Sequence, residues 1–327
     1  MSGSFKTGVR RSAHDCSMSI DLCAASAFMT THARLLDRQR FRLLLGESGP
    51  DGVLAALEAY RNADGGYGWG LEPDLRAAES QPGGALHAFE AFAEVAPATS
   101  PRAAELCVWL AAASLADGGL PFALPVADGA GCAPFWAEAD ATVSSLHITS
   151  AVVAMAHRVA AHDPAVARHP WLADATRYCL GEIARLDEPR SALELLYVLG
   201  FLDVLAGSGG GEPDAAAHLE RMAAAIPASG ELPVEGGAAD EKVRPLDVAP
   251  QPDRPVRRHL RPEAVAADLD RLATGQADHG GWEVDYAAWS PAAALEWNGY
   301  ATVRAVAVLR ANGGSAERLC AVAPMVE

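Results

Sequence analysis

The sequence predicts an all-α protein, and three observations carry that expectation. Strong β-formers are sparse, and no stretch alternates apolar and polar residues ahead of a hairpin turn. Alanine instead fills long segments in which apolar residues return at intervals of three and four, the spacing of one helix face. Readable starts and stops punctuate those segments. Ser100 before Pro101, Ser290 before Pro291 and Asp51 after Pro50 place a capping oxygen or a proline where a first turn leaves amides unpaired. Gly46, Gly118, Gly207 and Gly313 stand where a left-handed residue or a simple stop ends a helix.

In chain order, helices are expected over residues 33–45, 51–61, 82–94, 101–115, 142–160, 171–185, 190–206, 214–225, 262–274 and 291–311. Ordered structure is expected from Met29, with residues 1–28 a poorly ordered arm or a mis-assigned translation start. Arg10 and Arg11 precede a mildly apolar stretch there, but Ser, His and Asp interrupt it and no signal-like apolar core forms. Residues 29–327 are read as a single domain, although such a length could also divide into two. The segment 227–261, dense in Pro, Gly and Asp, is read as one long loop near the mouth of a cavity.

Composition narrows the function classes. With 42 acidic against 26 basic residues the formal net charge is -16, a field that repels phosphate backbones and argues against nucleic-acid binding. Apolar runs such as ITSAVVAMA are too short to cross a bilayer, so no integral membrane span is expected. The six cysteines form no CxxC pair and read as free thiols in a reducing, cytoplasmic compartment. No HExxH, DDxxD or GxxxxGK occurs, so neither a metal nor a cofactor is expected. Cys132, Asp140 and His147 could imitate a zinc set, but their spacing does not demand one.

A frame recurs along the chain. Leu272, Gln276, Gly280 and Trp282 follow the pattern L-x3-Q-x3-G-x-W, while Leu57, Arg61, Gly65 and Tyr67, then Leu110, Ser114, Gly118 and Leu120, repeat its spacing. Each copy closes a helix with Gly-Gly and then offers a large apolar side chain. The polar residue can cap free carbonyls or reach the next helix start, and the apolar side chain can plug the gap between hairpins. Such a repeat, of roughly fifty residues, needs neighbours on both sides to bury its apolar faces. The stretch QADHGGW resembles the QW motif of the squalene-hopene and oxidosqualene cyclases, and the repeat is similar to that of protein prenyltransferase β subunits. The resemblance covers about residues 50–311 and implies an α/α toroid, a ring of helical hairpins around a central cavity. It also implies an apolar substrate or ligand, with homo-oligomerisation left open. The DxDD motif whose middle aspartate protonates substrate in the cyclases is absent, the nearest patterns being Glu72-Pro73-Asp74 and Glu138-Ala139-Asp140.

Three stretches concentrate the chemistry. In residues 62–84, Tyr67 and Trp69 are expected to pack inward and fix a glycine-loosened loop carrying Glu72, Asp74 and Arg76. If Glu72 and Asp74 are half-buried together, repulsion raises one pKa and makes a general acid; alternatively Arg76 neutralises one of them. Asp74 is the expected proton donor, with Glu72 sharing its proton. His87, one turn into the following helix behind Gly83 and Gly84, is a further pocket candidate. In the second stretch Asp140, Ser144 and His147 share one helical face if the helix begins by Asp140, with Phe135 and Trp136 as a wall. Asp140 is then the reserve acid, oriented by His147; the plainer reading is a helix cap and a core histidine. The third stretch supplies Trp282, Glu283, Asp285, Tyr286, Trp289, Trp297 and Tyr300, rings beside carboxylates that could stabilise a carbocation, stack on a sugar, or simply fill wedges between hairpins.

Three functions therefore stand as expectations. The first is a terpene-cyclase-like enzyme that protonates an isoprenoid or similar apolar substrate in an aromatic-lined cavity. The second is a non-catalytic toroid that binds a hydrophobic ligand or a protein partner. The third is a carbohydrate-active helical barrel using paired carboxylates.

Overall fold

The structure, a computed structural model, describes residues 20–208 and 214–314. It is all-α apart from one two-stranded ribbon. The helices are α1 (Leu22–His32), α2 (Leu35–Leu44), α3 (Pro50–Leu57), α4 (Pro82–Glu94), α5 (Pro101–Ala113), α6 (Pro134–Ala137) and α7 (Leu146–Ala160). They continue as α8 (Pro164–Ala167), α9 (Pro170–Arg185), α10 (Ala192–Gly207), α11 (Ala215–Ala223), α12 (Pro245–Val248), α13 (Pro262–Thr274) and α14 (Pro291–Ala311).

Side-chain patterning sorts these helices. Along α7, residues from Leu146 to Val159 are buried on nearly every side, and α10 is similarly covered, so both must have packing partners around most of their circumference. In contrast, α9 buries a single stripe, Trp171, Leu172, Ala175, Cys179 and Ile183, and turns its other face outward. Packing follows chain order: α2 against α3, α3 against α4, α4 against α7, and α7 against both α9 and α10. From there α10 meets α11, α12 joins α10 to α13, and α13 meets α14. Finally α14 lies against α2, while α1 touches both. A second apolar cluster seals that junction between the two ends of the described chain, with Phe28, Met29 and Phe41 against Trp282, Val306 and Leu309.

The recurring frame has a physical role at each copy. Arg61 reaches Glu105 of α5 at 2.6 Å, and the Ser114 hydroxyl accepts from the Trp171 indole of α9 at 3.2 Å. Gln276 holds Asp21, the cap of α1, through both its backbone N–H (2.9 Å) and its carbonyl (2.8 Å). In every copy the polar residue therefore ties its own turn to another hairpin. The glycine is needed most at Gly280, where φ is +92° and an added Cβ would lie 2.3 Å from the Ala24 carbonyl. A further regularity escaped the sequence reading: Asp64, Asp117 and His279, each just ahead of Gly-Gly, accept from the amide of Gly66, Gly119 and Gly281 at 3.0 Å.

Several expectations are corrected. Ordered helix begins before Met29, at Leu22, because Asp21 caps the amides of Cys23 and Ala24 and the stripe Leu22, Ala25, Phe28 and Met29 packs on the last hairpin. Residues 1–19 of the expected arm lie outside the described residues. The helix expected from residue 142 starts at Leu146, capped by Ser145. Segment 227–261 is more than loop: Leu232–Pro233 pairs antiparallel with Lys242–Val243, α12 follows, and a 3-10 turn spans Pro255–His259. Cys107, Cys132 and Cys179 are free and buried, but Cys23 is disulfide-bonded, against the expectation of six free thiols; Cys16 and Cys320 lie outside the described residues. No helix is long and apolar enough to cross a membrane, among the described residues.

Candidate functional site

The site is assembled where α4 begins. Gly84 lets that first turn approach so closely that an added Cβ would lie 2.3 Å from the Tyr67 carbonyl, and Gly83 packs on the Glu72 side chain. This contact sets His87, one turn on, against the loop that carries Glu72. His87 Nε2 is 2.9 Å from Glu72 Oε2, and Nδ1 is 3.0 Å from Glu90 Oε2 on the same helix. Tyr300 of α14 donates its hydroxyl to Glu90 Oε1 at 2.9 Å, and Arg40 of α2 lies 3.9 Å from Glu90 Oε2 with its guanidinium 5.1 Å over the Tyr300 ring. Arg40 is itself held by Glu94 at 2.7 Å and Asp37 at 3.3 Å.

Electrostatics follow from this geometry. Burial alone would pull the His87 pKa down, but the Glu90 and Glu72 carboxylates outweigh it and hold the ring up at about 9. Burial would raise Glu90, yet His87, Arg40 and the Tyr300 hydroxyl bring it down to about 2. At neutral pH the centre is therefore an imidazolium between two carboxylates. Its rim is aromatic: Trp297 and Tyr300 meet His87 edge-on at 5.9 and 5.5 Å, and Tyr286 meets Trp297 at 5.4 Å.

Asp74 stands beside this centre. Its Oδ1 accepts from the Trp289 amide at 2.7 Å and its Oδ2 from the Trp297 indole at 2.8 Å, tying the loop to α14 across the chain. Burial raises its pKa, opposed by those two N–H donors. The expected proton sharing with Glu72 is absent, because Glu72 Oε1 accepts the Asp74 amide at 3.1 Å and Oε2 is turned to His87. Arg76 does not neutralise Asp74 either; its partner is Glu296, at 2.6 Å.

A second wall lies on α7 and α10. His147 stacks on Tyr197 at 4.8 Å and meets Phe122 edge-on at 5.3 Å, while Phe122 stacks on Trp136 at 4.3 Å. Burial holds the His147 ring neutral, with a pKa of about 4. His147, Tyr197 and Tyr286 all keep accessible surface, and none has a side-chain hydrogen bond among the described residues.

The remaining candidates fall elsewhere. Asp140 is exposed and precedes α7, where its carboxylate accepts from the Thr142 amide and hydroxyl, so it shares no helical face with His147. Ser144 bonds Asp117 instead. Tyr67 is buried as expected, but Trp69 is turned outward at 58% exposure, with its indole on Asn62 and a φ of +57°. Trp282 is a wedge in the apolar cluster that joins the two ends of the described residues, donating to Leu272 O at 2.8 Å. Trp289 contributes its amide while its ring is half exposed, and Asp285 pairs with Arg244. Cys132, Asp140 and His147 form no metal-holding group; none occurs among the described residues. Sequence reading missed Arg40, Glu90 and Tyr197, of which Glu90 alone carried a local signal, three residues from His87 on one helix face. No protein-family model matches the chain, and no curated protein matches it.

Proposed function

We propose that the hairpins close into an α/α toroid and that the chain is a terpene-cyclase-like enzyme acting on an isoprenoid or similar apolar substrate at the His87 centre. The closure is supported by α14 lying against α2 and by Gln276 holding the cap of the first helix. One observation carries the functional reading: the rings of Trp297, Tyr286 and Tyr300 gather beside a buried carboxyl, Asp74, that two N–H donors address. Burial favours retaining the proton, while the two donors stabilise the carboxylate left after its transfer. Delivered to an alkene carbon, that proton leaves a carbocation, which the ring faces of Trp297, Tyr286 and Tyr300 stabilise. Loss of a proton from a neighbouring carbon back to a carboxylate ends the reaction as an isomerisation, with no co-reactant consumed.

Binding without turnover is the second reading, favoured because every carboxylate around His87 already accepts from fixed donors. The same commitment counts against the carbohydrate reading, which needs two carboxyls free to face a sugar. Mass spectrometry of ligands carried through native purification, followed by turnover of the species found, separates these readings. The enzyme reading predicts that Asp74→Asn lowers turnover by at least about a hundredfold; full activity in that variant removes Asp74 as the acid.

A further inference from the structure

Among the described residues Trp69 is the one residue other than glycine with a left-handed backbone, at φ +57°, a conformation that bulky side chains avoid. Burial does not offset the strain, because the side chain ends 58% exposed. Its indole N–H donates to Asn62 Oδ1 at 2.7 Å, and Asn62 is fixed in turn by donating to the Ala78 carbonyl at 2.8 Å and the Ser80 hydroxyl at 3.0 Å. One edge of the ring is pinned while most of the ring stays uncovered. The copy of the frame that ends at Leu120 offers an internal comparison. Asp117 and Ser144 bond there at 2.6 Å as Asp64 and Ser80 bond here at 2.8 Å. Two residues past Leu120, however, Phe122 stacks on Trp136 at 4.3 Å with no left-handed φ of its own. The frame can therefore pack a ring at this place, and the copy at Trp69 strains its backbone to hold one out.

The uncovered ring borders a cleft of about 390 Å³, a volume that suits a small molecule. Trp109 of α5 also lines it, with its indole N–H on Asp64 Oδ2 at 3.1 Å. Every side-chain donor of the lining is committed: both indoles, the Asn62 amide, and the Ser80 hydroxyl, which donates to Asp64. Acceptors are what remain. Glu79 gives one carboxylate oxygen to the Ala127 amide at 3.1 Å and makes no other hydrogen bond among the described residues. No lysine or arginine is among the described residues that line the cleft. Indoles and carboxylates without a free side-chain donor repel an anion and meet only half of the hydrogen bonds a sugar seeks, but they suit a cation with an apolar shell. The net charge of -16 adds to that attraction. We propose that this cleft binds a small quaternary ammonium compound, with its cationic head against the Trp69 ring and its charge answered by Glu79 and Asp64. The cleft shares no side chain with the His87 centre and does not rest on the function proposed there.

The test titrates the full chain with three probes, read by calorimetry and tryptophan fluorescence: choline, the uncharged alcohol in which carbon replaces its nitrogen, and methyl glucoside. Wild type should bind choline with a Kd of about 1 mM or tighter, and at least about fivefold tighter than either neutral probe. Trp69→Gly should weaken choline binding at least about fivefold with the melting temperature unchanged, because the ring is exposed and glycine suits the backbone there. Glu79→Gln keeps the shape of a partly exposed side chain and should weaken choline by about threefold or more while leaving the neutral probes unaffected. This second variant decides the matter should Trp69→Gly melt lower than wild type. The proposal is overturned if choline does not bind at about 1 mM, if either neutral probe binds as tightly, or if either variant binds choline as tightly as wild type. A preference for methyl glucoside would make the exposed indole a sugar platform and overturn the cation reading.

Discussion

Replacing His87 by glutamine tests whether the Glu72–His87–Glu90 centre is held together by charge. His87 binds its proton more tightly in the folded chain, at about 9 against an ordinary 6.5. That difference corresponds to about 3 kcal/mol of stability, present in full below pH 6.5 and lost as pH rises through about 9. Glu90 bounds the acid side, because its pKa falls from 4.5 to about 2 and its contribution is complete above 4.5 and lost as pH falls toward 2. Both describe one contact from its two partners, so they are not added. The contact is therefore strongest between pH 4.5 and 6.5. Urea unfolding at pH 6 and at pH 9.5 reads the effect directly. Wild type should lose about 3 kcal/mol between the two. The His87→Gln chain should be weaker than wild type at pH 6 by about 3–5 kcal/mol, the cost of leaving buried carboxylates without their cation, and should lack the alkaline decline. A wild type of constant stability over this range, or a variant that declines as steeply, would refute the imidazolium assignment.

Three further outcomes follow from individual contacts. Asp74→Asn should lower stability as well as turnover, by about 1–3 kcal/mol in urea, because an amide offers one acceptor where two N–H donors point; an unchanged unfolding midpoint argues against that clamp. Gly280→Ala, with its new methyl 2.3 Å from the Ala24 carbonyl, should depress the melting temperature by several degrees, and a neutral result would mean that α1 does not pack on the Gly280 turn as described. Trp69→Gly should keep stability within about 1 kcal/mol of wild type, since the ring is exposed and its φ of +57° suits glycine; a loss beyond about 2 kcal/mol would show that the indole packs.

Much of the helical layout could be read from the sequence because its signals are local. Pro82, Pro101 and Pro291 each open a helix where expected, and the Gly-Gly turns carry positive φ at Gly65, Gly118 and Gly280. Errors arose where a local signal admitted two geometries. Asp140 could cap a turn or start a helix, and the competition went to Ser145, which moved the helix start from 142 to Leu146 and detached Asp140 from His147. Trp69 is expected inside because a glycine-loosened loop needs packed rings to fix it. The chain reverses there through Gly68 and Gly70, and an added Cβ on Gly68 would lie 2.2 Å from the Glu79 carbonyl, so the strands of the turn are too close to admit an indole between them.

The site shows the same division more sharply. Glu72, Asp74 and His87 were legible as a group because they lie within sixteen consecutive residues of dense polar and aromatic character, and Trp297 and Tyr300 because they stand three apart on one helix. What the sequence could not supply is which of these carboxyls is committed. That is decided by Trp289 and Trp297, more than two hundred residues away, which take both oxygens of Asp74, and by the turn of Glu72 toward His87. Arg40 and Tyr197 carry no local motif, and only helix packing brings them near Glu90. Asp74, conspicuous in the sequence, is therefore given its role by donors that only packing brings to both of its oxygens.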